Sequence, residues 1–334
     1  MEPEHYPAPA PTVSLNPSAL RTNSFLSPPR PYSFGPFFLA KLRSPLYLKY
    51  CNLVATPDGV LIHESYPNRG ATFGKWPFTY LPGIESTDEG YIYSPGPAVD
   101  VPDDVLIVAH SSASVFGHFV MDSLSVAISL RRQIVQRGLK IALFQPQQWM
   151  LDLLRFAGIP QTSIITLSER IVRFRSAIIT SALAAQTTYT PGSLAVETFD
   201  HLRRRTFLRA RVPPLKLFLR RGGATARMSN ESEVADLFAE AGYAVLSPHK
   251  MSIPTQMAIA SGAVAVAASY GSGHALSGFM SAGATVIELL PSDAEDNWFI
   301  RLAARRHLNH RIVVVERSAN VDVQSLKTQL EGLL

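Results

Sequence analysis

Cysteine is almost missing from this chain. Cys51 is the single one among 334 residues, which excludes an internal disulfide framework and any Cys-x-x-Cys redox or zinc motif. Charged residues supply only 17 % of the composition against 46 % hydrophobic, too apolar a balance for a disordered polyelectrolyte. No apolar run approaches the roughly 18 residues that a membrane-crossing helix needs. Asp-x-Asp, His-Glu-x-x-His and Gly-x-Ser-x-Gly are also lacking, so metal-dependent and covalent-nucleophile chemistry find no motif here. The opening MEPEHYPAPAP has neither a basic nor an apolar segment of secretory type. A cytoplasmic protein is therefore expected.

What is present is length, periodicity and positive charge. The net charge is +5 and the pI about 9.3, and 334 residues suffice for about two domains with a core in each. Residues 1–37 carry nine prolines, which remove backbone donors and fix φ, so an extended or disordered arm is expected there. PLYLKYCNLVATPDGVLIHE (45–64) reads as two strands around a turn at Pro57-Asp58-Gly59. From Val105 onward short apolar runs alternate with helical stretches. VLIVA (105–109), IALFQ (141–145), IITL (164–167) and AIITSA (177–182) form one series of strands. KLFLRR (216–221), AVLS (244–247), AVAVAAS (263–269), ATVIELL (284–290) and RIVVVE (311–316) form a second. Such alternation predicts parallel sheets covered on both faces. Pro213-Pro214 separates the two series, within a stretch (201–230) holding nine Lys/Arg and no acid. The expected organisation is an arm (1–37), an N-terminal Rossmann-like domain with a β-rich start (38–212), a C-terminal Rossmann-like domain (213–316) and a terminal helix (317–334).

In open α/β sheets ligands bind beyond the carboxyl ends of the strands, and four places there carry chemistry. Arg220-Arg221-Gly222-Gly223 joins arginine forks that match phosphate to glycines that permit close approach, and Arg227 follows within reach. A solvated basic loop reads equally well. Tyr270-Gly271-Ser272-Gly273-His274 lies between an apolar strand and a helix, where backbone amides can meet an anion. Leu276 stands where a dinucleotide fingerprint has its third glycine, so a simple tight turn is the plainer reading. Glu288 is the sole acid of ATVIELL and sits where a carboxylate can hold ribose hydroxyls, or can merely face solvent. His118 and Asp122, four apart in FGHFVMDSL, share one helix face and suit a general base with its orienting carboxylate. A structural histidine explains His118 as well, and His110 and Ser111 are secondary candidates.

Taken together these segments resemble glycosyltransferase family 61. Phe116-Gly117-His118-Phe119-Val120-Met121-Asp122-Ser123 is similar to the family's Gly-His-Phe-x-x-Asp block. LFLRRGGATARMSNESEV (217–234) is similar to its strand-Arg-loop-Arg-Asn-Glu segment, with Arg221, Arg227, Asn230 and Glu231 at the matching places. YGSGHALSGFMSAGATVIELLP (270–291) resembles its His-Gly-Ala-Gly-Leu turn, small-residue helix and Val-Ile-Glu-Leu strand. Asn297-Trp298 and Leu302-Ala303 fit the helix that follows. Tyr270 replaces the family's histidine, while His274 stands where an aliphatic residue is usual. The resemblance, over about 105–316, implies a GT-B fold of two Rossmann-like domains facing a central cleft. It also implies inversion at the anomeric carbon with no metal and no resident cofactor. Arg221 and Arg227 would neutralise the leaving diphosphate, Tyr270, Gly271, Ser272, Gly273 and His274 would line the donor site, and Glu288 would hold the ribose. His118 or Asp122 would activate the acceptor hydroxyl. The expected donor is a nucleotide sugar, UDP-linked, and the acceptor a glycan or lipid-linked glycan of capsule or exopolysaccharide synthesis. The basic surface admits peripheral contact with an anionic membrane. The Tyr270 replacement supports an alternative, a non-catalytic nucleotide- or glycan-binding scaffold. Nucleic acid is not an expected partner, because the arginine cluster has only Phe207 and Phe218 interleaved and spans a domain junction.

Overall fold

The structure, a computed structural model, describes residues 4–6, 13–14, 32–34, 37–49, 52–65, 83–88, 90–94, 96–109, 112–184, 191–207, 214–222, 228–291, 299–315 and 321–331. It is a mixed α/β protein that divides into two compact units. The first comprises Met1–Glu4 and Ser33–Thr198, the second His5–Tyr32 and Phe199–Leu334. The division falls inside the helix Ser193–Phe207, upstream of the Pro213-Pro214 boundary expected from composition. Three short strands precede the first unit's sheet: β1 (Glu4–Tyr6), β2 (Val13–Ser14) and β3 (Tyr32–Phe34). The rest of the proline-rich arm up to residue 36 lies outside the described residues.

The first unit holds β4 (Leu39–Arg43), β5 (Leu46–Leu48), β6 (Leu53–Ala55), β7 (Ile84–Thr87), β8 (Gly90–Tyr93), β9 (Val99–Ile107), β10 (Lys140–Phe144), β11 (Ile164–Leu167) and β12 (Ile171–Thr180). Its main sheet runs β11-β10-β9-β12-β5-β6, with β4 also on β12. The four strands β11, β10, β9 and β12 are mutually parallel, whereas β4, β5 and β6 add antiparallel pairs at the other end. Val105, Leu106 and Ile107 are all fully buried, as a strand covered on both faces requires. The turn at Pro57-Asp58-Gly59 forms, with Gly59 at φ 95° donating to Thr56 O at 3.0 Å. It follows the β5–β6 pair, however, and leads to a single bridge between Ala55 and Leu61. Residues 116–137, which include the helix face expected to carry His118 and Asp122, do not form one continuous helix. A short α-turn (Phe116–His118) passes into a π-helical turn (Phe119–Ser123) and then into helices Leu124–Ser129 and Arg131–Arg137, the last capped by Gly138 at φ 68°.

The second unit holds β13 (Leu215–Leu219), β14 (Ala244–Leu246), β15 (Ala263–Ser269), β16 (Thr285–Pro291) and β17 (Asn309–Val315). They form a parallel sheet in the order β14-β13-β15-β16-β17, to which β2 adds at the far edge. Side chains alternate across it with the strand period of two. Ile287, Leu289, Val313 and Val315 pack with Val234, Leu237 and Phe238 of helix Glu231–Glu240 and Leu326 and Leu330 of helix Val323–Leu330. On the opposite face Leu290, Ile312 and Val314 pack with Tyr270 and Ile300. Asn230 does not cap its helix with its side chain. It donates from Nδ2 to Glu233 at 3.1 Å and to Val321 O at 2.9 Å, and accepts from Val321 N at 2.8 Å, which docks the C-terminal segment.

Candidate functional site

Of the five strands β13 to β17, chain order puts β13 first, with β14 on one flank and β15 on the other. The strand order therefore reverses between β13 and β15, and a crevice opens there beyond the strands' carboxyl ends. Arg220, Arg221 and Gly222 leave β13 at this point, and Tyr270 and Gly271 leave β15. The strand stops at Leu219, so both arginines belong to the loop and not to the strand. Arg221 is half-buried and reaches across, its Nη1 donating to Tyr270 O at 3.4 Å. Its guanidinium lies over Gly271, where a Cβ would overlap Nη1. Gly271 sits at φ 136°, ψ −177°, a backbone region essentially confined to glycine. Two reasons thus require glycine there, the backbone and the arginine above it.

Glu231 holds this loop from beneath. Its carboxylate is only 4 % exposed and 3.7 Å from Arg220 Nε. It accepts from Arg221 N at 2.9 Å and Gly222 N at 2.7 Å. A buried carboxylate needs such donors, and these two amides are the ones a bound anion would otherwise use. Arg220 is turned away, donating from Nη2 to Ser232 Oγ at 2.6 Å. Arg221 and the half-exposed Gly271-Ser272-Gly273 turn remain as the partly open polar surface at this end of the sheet. Arg227 and Gly223 lie outside the described residues. The helix expected over Ser272–Ala282 is a 3-10 helix, Ser272–Phe279, begun by Gly271.

His274 and Glu288 are placed differently from the expectation that they meet the donor. Both are fully buried, and the cause is strand alternation. Glu288 belongs to a central strand and points to the face opposite Ile287 and Leu289, where helix Phe299–Arg305 covers it. Its Oε2 accepts from His310 Nε2 at 3.1 Å. His274 Nε2 lies 3.1 Å from Ala268 O. A carbonyl can only accept, so this nitrogen carries the proton. Burial lowers the His274 pKa, countered in part by Glu288, so the ring is held neutral. These two residues shape the floor beneath the Gly-x-Gly turn and do not line its surface.

In the first unit the sequence pairing is realised. His118 Nδ1 lies 3.2 Å from Asp122 Oδ2, with side-chain exposures of 12 % and 1 %. Both follow β9, at the carboxyl end of the parallel strands. Asp122 lies within the π-helical turn, a wide turn often found at functional sites. A carboxylate on Nδ1 fixes the tautomer that leaves Nε2 as the basic nitrogen. Trp149, which sequence reasoning did not single out, is a half-buried residue in ring contact with Phe116 and Phe119, which flank His118 in the chain, at 5.8 and 5.3 Å. His110 and Ser111 lie outside the described residues.

The family model described as glycosyltransferase 61 matches residues 116–287, more than half of the chain. The chain belongs to glycosyltransferase family 61. The match opens at Phe116, two residues before His118, and closes one residue before Glu288, so it takes in the histidine–aspartate pair, Arg221 and the Gly271 turn. Membership of this family makes the protein a glycosyltransferase, an enzyme that binds a sugar donor and a glycan acceptor. Comparison with curated proteins finds no match. Among the described residues no helix is long and apolar enough to cross a membrane, and no three His, Cys, Asp or Glu side chains come together as a metal site.

Proposed function

We propose that this glycosyltransferase works with inversion and without a metal ion, moving a sugar from a nucleotide-sugar donor, UDP-linked, to a glycan or lipid-linked glycan. The observation that carries the reading is the placement of Arg221 over Gly271 at the switch point of the second unit's parallel sheet. A cation fixed there meets a diphosphate as charge develops on it, and preorganised charge of this kind usually contributes most to lowering the barrier of such transfers. The two units are read as the halves of a GT-B enzyme, the second taking the donor and the first the acceptor. Arg227 is assigned to the same diphosphate, and the Ser272 and Gly273 amides support it.

In the transfer, His118 Nε2 takes the proton of the acceptor hydroxyl as its oxygen bonds to the anomeric carbon. The anomeric bond to the diphosphate breaks, and the nucleoside diphosphate leaves with the electron pair. Asp122 stabilises the imidazolium that forms. Glu288 is not assigned to the ribose, because it is buried against His310. The pathway we assign is surface or exopolysaccharide synthesis in the cytoplasm, with peripheral contact with the inner leaflet. The non-catalytic alternative, a degenerate member of the same family, drew on the Tyr270 replacement, and that ground weakens because Tyr270 meets Arg221 through its backbone carbonyl, which any residue supplies. Calorimetry against UDP, GDP and CMP, with and without EDTA, tests the donor reading. Tight binding of UDP, unchanged by EDTA and lost in Arg221→Ala with the fold intact, is expected. Equal binding by wild type and Arg221→Ala overturns the arginine's role.

A further inference from the structure

Beyond the base and the donor crevice, the first unit carries an aromatic surface with no part in either. Adjacent parallel strands β9 and β10 send their following loops to one edge of the sheet. The short helical turn Phe116–His118 follows β9, and the loop after β10 carries Gln145 and Gln147 into helix Gln148–Phe156, whose second residue is Trp149. Trp149 is clamped on three sides. Its ring meets Phe119 edge-on at 5.3 Å and 85° and Phe116 at 5.8 Å, and its Nε1 donates to Gln147 Oε1 at 2.7 Å. Phe119 is fully buried, whereas Phe116 and Trp149 keep part of their surface in solvent. Gln145 begins the loop at φ 39°, a conformation that costs a non-glycine residue energy and that gathers at functional sites. A core role would bury the indole outright, and a plain surface would not need three partners to hold it.

We infer that Trp149 and Phe116 form an acceptor subsite, on which a pyranose ring of the glycan stacks beside His118. Resting on the glycosyltransfer reading above, this adds where the acceptor sits and what it must look like. The carbon-bound hydrogens on the flat face of a sugar ring are its apolar surface, and they match an aromatic face. The polar groups beside the rings are glutamine amides, Gln147 on the indole nitrogen and Gln145 accepting from Lys49 Nζ at 2.7 Å, which can trade hydrogen bonds with hydroxyls, the pattern of a site lined by aromatics with a few polar groups. A ring with equatorial hydroxyls presents two such faces, and an axial hydroxyl spoils one of them. The platform meets one face only, so it takes any pyranose ring that keeps one face of carbon-bound hydrogens, gluco- and manno-configured alike.

The test is titration of the full-length protein with cellohexaose, maltohexaose and mannohexaose, followed by calorimetry and tryptophan emission, with UDP titrated in parallel. Binding of at least one of these oligosaccharides is expected, with a Trp149→Leu variant weakened about tenfold or more and its UDP affinity kept. Gln147→Ala, an exposed change that releases the indole nitrogen, should weaken glycan binding in the same direction. It decides the matter if Trp149→Leu fails to fold. UDP binding with no binding of any oligosaccharide overturns the subsite and leaves the donor reading standing. Glycan binding untouched by the variants that fold also overturns it. Loss of UDP binding in the wild type would instead be a failure of the donor reading.

Discussion

Gly271→Ala separates the two reasons for glycine beneath Arg221. The new methyl would stand where Arg221 Nη1 lies, and the backbone would be held at φ 136°, ψ −177°. A non-glycine residue in that region costs about 1–3 kcal/mol. For a domain of this size each kcal/mol lowers Tm by roughly 2–4 °C, so a fall of about 2–12 °C is expected. Arg221 is the far end of a flexible chain and can swing aside. Doing so forfeits its contact with Tyr270 O and its position over the turn. A hydrogen bond to a charged group is worth about 1.5–3 kcal/mol, which corresponds to a loss of about 10- to 150-fold in UDP affinity. Arg221→Ala removes the cation without straining the backbone, so its affinity should fall as far while Tm changes little. In the double variant the overlap is gone but the strain stays. Its UDP affinity should match that of Arg221→Ala alone, a non-additive result expected of groups in contact. Scanning fluorimetry and calorimetry on the four proteins measure strain and affinity separately. Wild-type affinity and Tm in Gly271→Ala would show that the arginine does not sit over this glycine and that the crevice is not organised around it.

Other sites give independent tests. Glu231→Gln turns an amide NH₂ toward one of the two backbone N–H donors that the carboxylate now satisfies, costing about 1–3 kcal/mol, read as a lower Tm with Arg221 displaced and UDP binding weakened. Asp122→Asn, which can no longer stabilise an imidazolium on His118, should lower kcat about 10²–10⁴-fold with UDP affinity kept; an unchanged kcat refutes the dyad. His274 is held neutral by burial, so its folded pKa lies below the unfolded value of about 6.5. Its contribution is complete above that pH and is lost as pH falls below it, because the unfolded chain then binds a proton that the fold refuses. The slope can reach about 1.4 kcal/mol per pH unit. Denaturation profiles between pH 5 and 8 should flatten in His274→Gln, and an identical profile would refute the assignment.

Much of the second unit was legible because its strands are short apolar runs buried on both faces. AVAVAAS coincides with β15 residue for residue, and IITL with β11 in the first unit. Edges were missed where a strand continues through polar residues. Asp100, Asp103 and Asp104 of β9 look like loop, yet Asp104 is held in the sheet by Ser176 and Arg175 of neighbouring β12, at 2.6 and 3.1 Å. The antiparallel strands of the first unit were only half visible. β4 alternates polar and apolar residues and finds its partner far along the chain, Leu42 lying against Ala177, a pairing that periodicity cannot announce.

The site shows why spacing reads some functional residues and misreads others. His118 and Asp122 were recoverable, since residues four apart meet on a helical turn whether its hydrogen bonds are α or π. Arg221 was recoverable as a loop cation, but not its aim, which depends on Glu231 taking the two backbone amides that a lone basic loop would offer to phosphate. Glu288 was misread for a reason equally local. A carboxylate near a strand's end reaches a ligand only if its strand parity points it to an open face, and the parity of ATVIELL points Glu288 at His310 beneath helix Phe299–Arg305. The neighbouring His274 depends on the same enclosure. It is neutral because it is sealed, and it is sealed because the Gly271 turn folds the 3-10 helix back over the sheet. The turn beneath Arg221 is therefore also the lid of a buried polar floor. That coupling explains why one glycine substitution should be felt in both stability and binding.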